Sequence, residues 1–456
     1  MIRRIGEGSA SIAQRYMPDP FIFAIGLTFI VYILGLIFTT SDFLKMWQHW
    51  YTGFWNLLAF SMQMVLVLVT GYALAMAPAV NKLLRRLAGI PNSAGGGILM
   101  VSFIALLANW INWGFGLIVG AVMALEVGKQ MKLKGIKFHF PLAAAAAYAG
   151  NVIWHGGLSG SAPLLVNTPK HFLEAKIGLI STGQTIFTSF NLITIGVTIL
   201  VVPFILRAMH PTGKGIREID DSMLPSIKGG EAEVVAPRAP QTFAERLENS
   251  RIIAWAIGLA GLYAIYWYFS TDLRIFDYNK GFGLNLDIVN FTFLMVGLIL
   301  HGTPGAYVRV MADAVKTASG VVLQFPFYSG IMGMMTGSGL VTVIAGWFVA
   351  ISTPATYAFW TLVSAGLVNL AVPSGGGQWS VQGPVMVEAA KLLNFDYGRT
   401  IMAVAYGDML TNMLQPFWAI PILGLTRLKA GEVMGYTVVV MVVAFVLFTL
   451  GITFLP

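Results

Sequence analysis

One carboxylate stands out inside an apolar run: Asp408, in Ala405-Tyr406-Gly407-Asp408-Met409. A carboxylate at membrane depth is costly unless it is protonated, paired or bound to a cation, so its chemistry would be to carry H⁺ or hold an ion. Thr411 and Asn412 follow it. Their oxygens would suit Na⁺, a hard cation served by carbonyl and carboxylate ligands. The complementary chemistry lies in clusters of Gly, Ser and amide side chains: residues 112–116, 155–163, 372–378 and 412–416. Glycine disfavours a helix and proline cannot donate within one, so backbone amides and helix N-termini are left free there. Free amides and positive helix ends favour an anion such as a carboxylate. Ser159, Ser161, Ser374, Asn112, Asn369 and Gln378 add neutral donors, and Gly114, Gly375, Gly376 and Gly377 let a ligand approach the backbone.

Other readings of these residues exist. Small residues also let membrane helices pack closely. His155 abuts one break, where a lone histidine is commonly structural. Gly157-Leu158-Ser159-Gly160 matches the short Gly-x-Ser-Gly pattern of intramembrane serine proteases, although those enzymes draw their histidine from a separate helix. Neither His-Glu-x-x-His nor a phosphate loop ending in Gly-Lys-Ser/Thr occurs, which argues against zinc proteolysis and ATP-driven transport. There is no cysteine, so thiolate metal sites and disulfides are excluded. No metal site is expected, beyond Na⁺ as a coupling ion, and no cofactor.

Such clusters must be held in place by membrane-spanning helices. The 456 residues are 57% hydrophobic and 11% charged, against about 25% charged in soluble domains. The formal charge of +8 sits singly or in small groups at the ends of apolar runs, which is topology rather than nucleic-acid binding. Apolar runs at 20–38 and 54–77 are each long enough to span. Arg3, Arg4 and Arg15 precede the first and Lys82, Arg85 and Arg86 follow the second, so both ends are expected inside. The N-terminus lacks a small-residue cleavage site and is not read as a removed signal peptide.

The stretch 97–127 begins and ends on the basic side, and its 31 residues fall short of the roughly 40 that two crossings need. It is read as a re-entrant hairpin with its tip at 112–116. A broken span at 138–168, an outer segment and a span at 186–206 follow. Residues 208–250, rich in Pro, Gly and charge, read as a flexible cytoplasmic linker. Residues 251–283 supply a connecting span and outer loop, and 284–456 replay 1–207: spans, a second hairpin with its tip at 372–378, a broken span at 400–428 and a last span at 434–454. Gln63 pairs with Gln324, Asn109 with Asn369 and Ala147-Tyr148 with Ala405-Tyr406 at a near-constant interval. Asp408 falls opposite the neutral Gly150-Asn151, so Asn151 is added to the candidate ion site. Counting crossings makes the two repeats inverted, the mark of a secondary transporter whose site lies near the midplane.

Seven stretches carry a resemblance: 18–25, 53–64, 112–121, 324–331, 370–379, 403–408 and 415–419. Together they cover nearly the whole chain, which resembles the bacterial short-chain fatty acid transporter family. The resemblance implies uptake of acetoacetate or butyrate across the bacterial inner membrane, with the N-terminus cytoplasmic and the C-terminus outside. It also implies a homodimer of an ion-transporter superfamily whose hairpins and broken spans move as an elevator. Members of that family commonly carry His after the glycine triplet and Glu after Tyr-Gly, where Gln378 and Asp408 stand here. A carboxylate is kept, and a proton relay at Gln378 is not expected. The fold expected is an all-α polytopic membrane protein, an inverted repeat with two re-entrant hairpins and broken transmembrane helices. The function expected is symport of a short-chain carboxylate with Na⁺ or H⁺. An exporter, a dicarboxylate carrier or an intramembrane serine hydrolase stands as the alternative.

Overall fold

The computed structural model describes residues 20–224, 242–271, 283–416 and 418–456, and every regular element among them is helical. The N-terminal arginines, most of the outer loop at 272–282 and the middle of the linker at 225–241 lie outside the described residues.

The first half opens with a span, α1 (Pro20–Phe38), a short helix, α2 (Phe43–Gly53), and a second span, α3 (Leu58–Ala75). Next comes α4 (Pro78–Ala88), which starts on a proline, where a missing N–H costs nothing. The hairpin follows: α5 (Ala94–Ile111) and α6 (Trp113–Leu133) joined by the single residue Asn112. Its arms are 18 and 21 residues long, longer than the apolar stretch alone implied. The helix runs on past Val127 through Lys129 and Lys132, whose stems can lie along apolar surface while their ammonium groups reach water. Each arm is thus long enough to cross by itself, yet the tip residue Asn112 is fully buried inside the protein.

The first broken span is α7 (Phe140–Ala149) and α8 (Ser161–Val166), separated by 3₁₀ turns at Gly150–Val152 and Trp154–Gly156. The break therefore opens at Gly150, five residues earlier than expected. A Cβ there would lie 2.6 Å from both the Ala105 carbonyl and the Asn109 amide nitrogen, so glycine is what lets α7 touch the hairpin. The short α9 (Glu174–Ile177) and the span α10 (Ser189–Ala208) complete this half, and α11 (Phe243–Glu248) leads to α12 (Arg251–Ser270).

The second half repeats the order of span, amphipathic helix, hairpin and broken span. α13 (Leu286–His301) is followed by α14 (Pro304–Lys316), again with proline in its first turn. α15 (Ser319–Ser338) and α16 (Leu340–Ile351) form one apolar stretch bent by 83° at Gly339, whose φ of 80° is the left-handed region glycine favours. The second hairpin is α17 (Tyr357–Ala371) and α18 (Gly375–Leu392), and the second broken span is α19 (Tyr397–Asn412) and α20 (Ile420–Thr426). The last span is α21 (Ala430–Phe454). Among the described residues seven helices are long and apolar enough to cross a membrane, or eight with the bent pair.

Packing joins the halves: α15 lies on α1 and α2, α13 on α3, α20 on α6 and α21 on α7 and α10, while within each half α5 lies on α6 and α17 on α19. Part of the stretch read as flexible is tied down: Arg217 pairs with Glu432 and Lys132 with Asp221, while the Ile219 carbonyl accepts from Lys132 at 2.8 Å.

Candidate functional site

Both hairpin tips are fixed by their own side chains. Asn112 Oδ1 accepts from Phe115 N–H at 2.9 Å, and Ser374 Oγ from Gly377 N–H at 3.3 Å, capping α6 and α18. Each tip is then held by a break. Ser159 Oγ accepts from Trp113 N–H at 3.0 Å, so the first break clasps the first tip. Trp418 Nε1 donates to the Pro373 carbonyl at 2.8 Å and Gln415 Nε2 to the Asn369 carbonyl at 2.7 Å, so the second break clasps the second. The Tyr148 hydroxyl lies 2.7 Å from the Asn412 carbonyl and 3.0 Å from that of Gln415, bridging the two broken spans.

Where the tips and breaks meet, a cavity of about 20 Å³ opens. Asn151, Ser161, Ser374, Gly375, Gly376 and Asn412 lie in its wall, so residues expected to hold the anion and residues expected to hold the ion converge on one place. Trp113, from the tip expected at 112–116, also lines it, and Met64, Trp154, Val321, Phe325 and Trp418, which were not foreseen, complete the wall. The Trp113 ring packs edge-on against both Trp154 and Trp418, at centroid distances of 5.8 and 5.4 Å. A cavity needs about 10–15 Å³ to admit one water. By the same measure this one has room for water.

The remaining candidates have other duties. Asn369 Nδ2 lies 2.8 Å from the Asp408 carbonyl and 2.9 Å from both Thr411 Oγ1 and Asn412 Oδ1. Thr411 also donates to the Gly366 carbonyl at 2.9 Å. These contacts brace α17 on α19 and engage one lone pair each of Thr411 Oγ1 and Asn412 Oδ1. Gln378 Nε2 lies 2.8 Å from the Ala365 carbonyl and 2.9 Å from Gln382 Oε1, within its own hairpin. Gly114 packs on Leu68 of α3, and Gly377 on the Tyr328 ring.

Asp408 is fully buried, and so is its partner, His155: Nδ1 lies 3.0 Å from Asp408 Oδ2. Ala162 N–H donates to His155 Nε2 at 3.0 Å. Nε2 is therefore the bare nitrogen, and Nδ1 carries the proton it donates to Asp408. Asp408 Oδ1 has no partner among the described residues, which leaves one oxygen of the carboxylate open to a proton. The His155 ring stacks on Trp154 at 4.3 Å. A Cβ on Gly375 would lie 2.6 Å from Trp154 and 2.7 Å from His155 Cε1, so the second hairpin tip rests directly on this pair. Sequence gave no sign of the contact, because 253 residues separate the partners.

The model of the short-chain fatty acid transporter family matches residues 1–455. The chain belongs to this family. A protein of Escherichia coli (strain K12) named as a candidate short-chain fatty acid transporter is 40% identical over 453 residues, covering 99% of this chain and all of the relative. One of the same name from Haemophilus influenzae is 37% identical over 462 residues, covering both chains in full. The crystal structure of the Alcanivorax borkumensis YdaH transporter, described as having an unusual topology, superposes with a TM-score of 0.57 over 96% of this chain and 97% of that one. At 17% identity that likeness carries the fold alone. The chain is thus a multi-span helical membrane protein of the short-chain fatty acid transporter family, and both relatives are named as transporters.

Proposed function

We propose that this protein is a secondary symporter carrying a short-chain monocarboxylate, such as butyrate or acetoacetate, together with a proton. The observation that supports the reading best is the buried His155–Asp408 pair, set against the wall of the cavity between the two hairpin tips. The N-termini of α6 and α18 both reach that wall, and positive helix ends favour an anion. A second carboxylate beside an ionised Asp408 would be repelled, since two like charges in a buried site cannot both persist cheaply. Protonation of Asp408 at its open Oδ1 removes that repulsion. The proton and the acid then load together, and the loaded site carries the same net charge as the empty one. The imidazole of His155 beside Asp408 suits proton exchange, and this favours H⁺ over Na⁺.

In this reading the second half is inverted relative to the first in the bacterial inner membrane, with the N-terminus inside and the C-terminus outside. The hairpins and broken spans move against the remaining spans as an elevator, and two copies pair as a homodimer in the lipid bilayer. The boundaries follow as 1–207 and 284–456 for the repeats, 208–250 for the linker and 251–283 for the connection. No nucleic acid or cofactor is involved. The test is uptake of labelled butyrate into proteoliposomes under an imposed pH gradient and, separately, an imposed Na⁺ gradient. Uptake driven by the pH gradient without Na⁺ is expected. Uptake that requires Na⁺ overturns the proton assignment, and no uptake under either gradient overturns the substrate class.

A further inference from the structure

We infer that the substrate carboxylate is received by the indole N–H groups of Trp113 and Trp154; the inference rests on the reading of the ligand as a short-chain carboxylate. Both side chains line the cavity and both are only 6% exposed. The Nε1 of each is buried without a hydrogen-bond partner among the described residues, as is Asn112 Nδ2 beside Trp113 in the chain. A buried donor left unpaired costs about 1–3 kcal/mol, so two in one wall call for an explanation. An indole N–H only donates, so what satisfies it is an acceptor, and a carboxylate oxygen is the strongest available.

The indoles add to the helix N-termini, because part of the backbone at the tips is already used. Trp113 N–H is taken by Ser159, Phe115 N–H by Asn112 and Gly377 N–H by Ser374. One tryptophan belongs to the first hairpin tip and the other to the first break, with ring planes inclined at 62°. His155, stacked on Trp154, places the proton-bearing pair next to the same anion.

The experiment measures binding of labelled butyrate to purified protein in nanodiscs, with butyramide as neutral competitor. Trp113→Phe and Trp154→Phe keep an aromatic ring and delete the N–H. Each is expected to raise the Kd about tenfold, the cost of one charge-assisted bond, and to shrink the preference for butyrate over butyramide. Trp379→Phe removes another buried, unpartnered N–H that does not line the cavity, and should bind like the wild type. Should a phenylalanine variant misfold, 3-benzothienylalanine at the same position keeps the indole shape without the N–H, and the same tenfold loss is expected. Affinities within twofold of the wild type at both positions, with the preference intact, overturn this inference while leaving the transporter reading standing. Wild-type protein that binds no short-chain carboxylate overturns both.

Discussion

The two halves of this transporter use the same order of elements for different purposes. In each, an asparagine on the first hairpin arm meets the broken span beside it. Asn109 keeps its bond within its own helix, donating to the Ala105 carbonyl at 2.8 Å, while its amide nitrogen crowds Gly150. Asn369 reaches out to three groups of α19, the Asp408 carbonyl among them. The first half thus offers a tight, neutral contact and the second a polar brace carrying the acid. The acid is nonetheless not the second half's alone, because its partner, His155, comes from the first break. Two halves with the same order of elements can hold an asymmetric site when each contributes one member of a pair, and moving one break relative to the other would then part that pair.

The largest effect should separate the two breaks. Asp408→Asn keeps the shape and the bond to His155 but cannot exchange a proton, so pH-driven uptake in proteoliposomes is expected to fall to background. Asn151→Ala, at the matching position in the first half, is expected to weaken butyrate affinity while leaving the proton-to-butyrate ratio unchanged. Equal loss of coupling in both variants would show that the asymmetry is not functional. A smaller difference concerns the braces. Asn369→Ala strands buried partners on α17 and α19 and should cost about 1–3 kcal/mol, whereas Asn109→Ala removes a bond within one helix and should cost about 1 kcal/mol or less. Thermal unfolding in detergent measures both, and equal shifts would contradict the comparison. Tyr148→Phe loses a single hydroxyl between the broken spans, for about 1 kcal/mol. Its melting shift should fall between those two.

Much of this arrangement was legible because proline and glycine mark where a membrane helix cannot continue. The breaks at 155–163, 372–378 and 412–416 were readable for that reason, and they supply Ser161, Ser374, Gly375, Gly376 and Asn412 to the cavity wall. The start of the first break at Gly150 was missed, since one glycine after a run of alanines does not look like an end. The bend at Gly339 was also missed, because its flanks are apolar and only the positive φ sets it apart. What no local pattern could supply was the pairing of His155 with Asp408 and the placement of Trp113 and Trp154 around the cavity. Those depend on which elements touch, and periodicity is silent on that. The glycines at 114 and 377, residue types suited to a ligand site, also pack closely, on Leu68 and on the Tyr328 ring.

The smallest expected effect tests whether the halves are also joined outside the spans. His210 follows α10, and its Nε2 accepts from His139 N–H at 3.0 Å at the start of α7. His139 Nδ1 in turn accepts from Arg217 N–H at 3.0 Å, and its Nε2 lies 3.0 Å from the Tyr436 hydroxyl of α21. This small network ties the end of the first half to the last span, with Glu432 and Arg217 paired alongside. Burial holds the His210 pKa below the ordinary histidine value, because the charged form is poorly solvated there. The bonded arrangement needs neutral His210, so its contribution is complete above about pH 6.5 and is lost as the pH falls through the lower folded value. Hydrogen exchange, corrected for its intrinsic pH dependence, should therefore show weaker protection of the His139 and Arg217 amides at pH 5 than at pH 7.5. His210→Gln, which retains an acceptor that does not titrate, should flatten that difference. Equal protection at both pH values in the wild type would mean that the contact between the halves does not depend on this histidine.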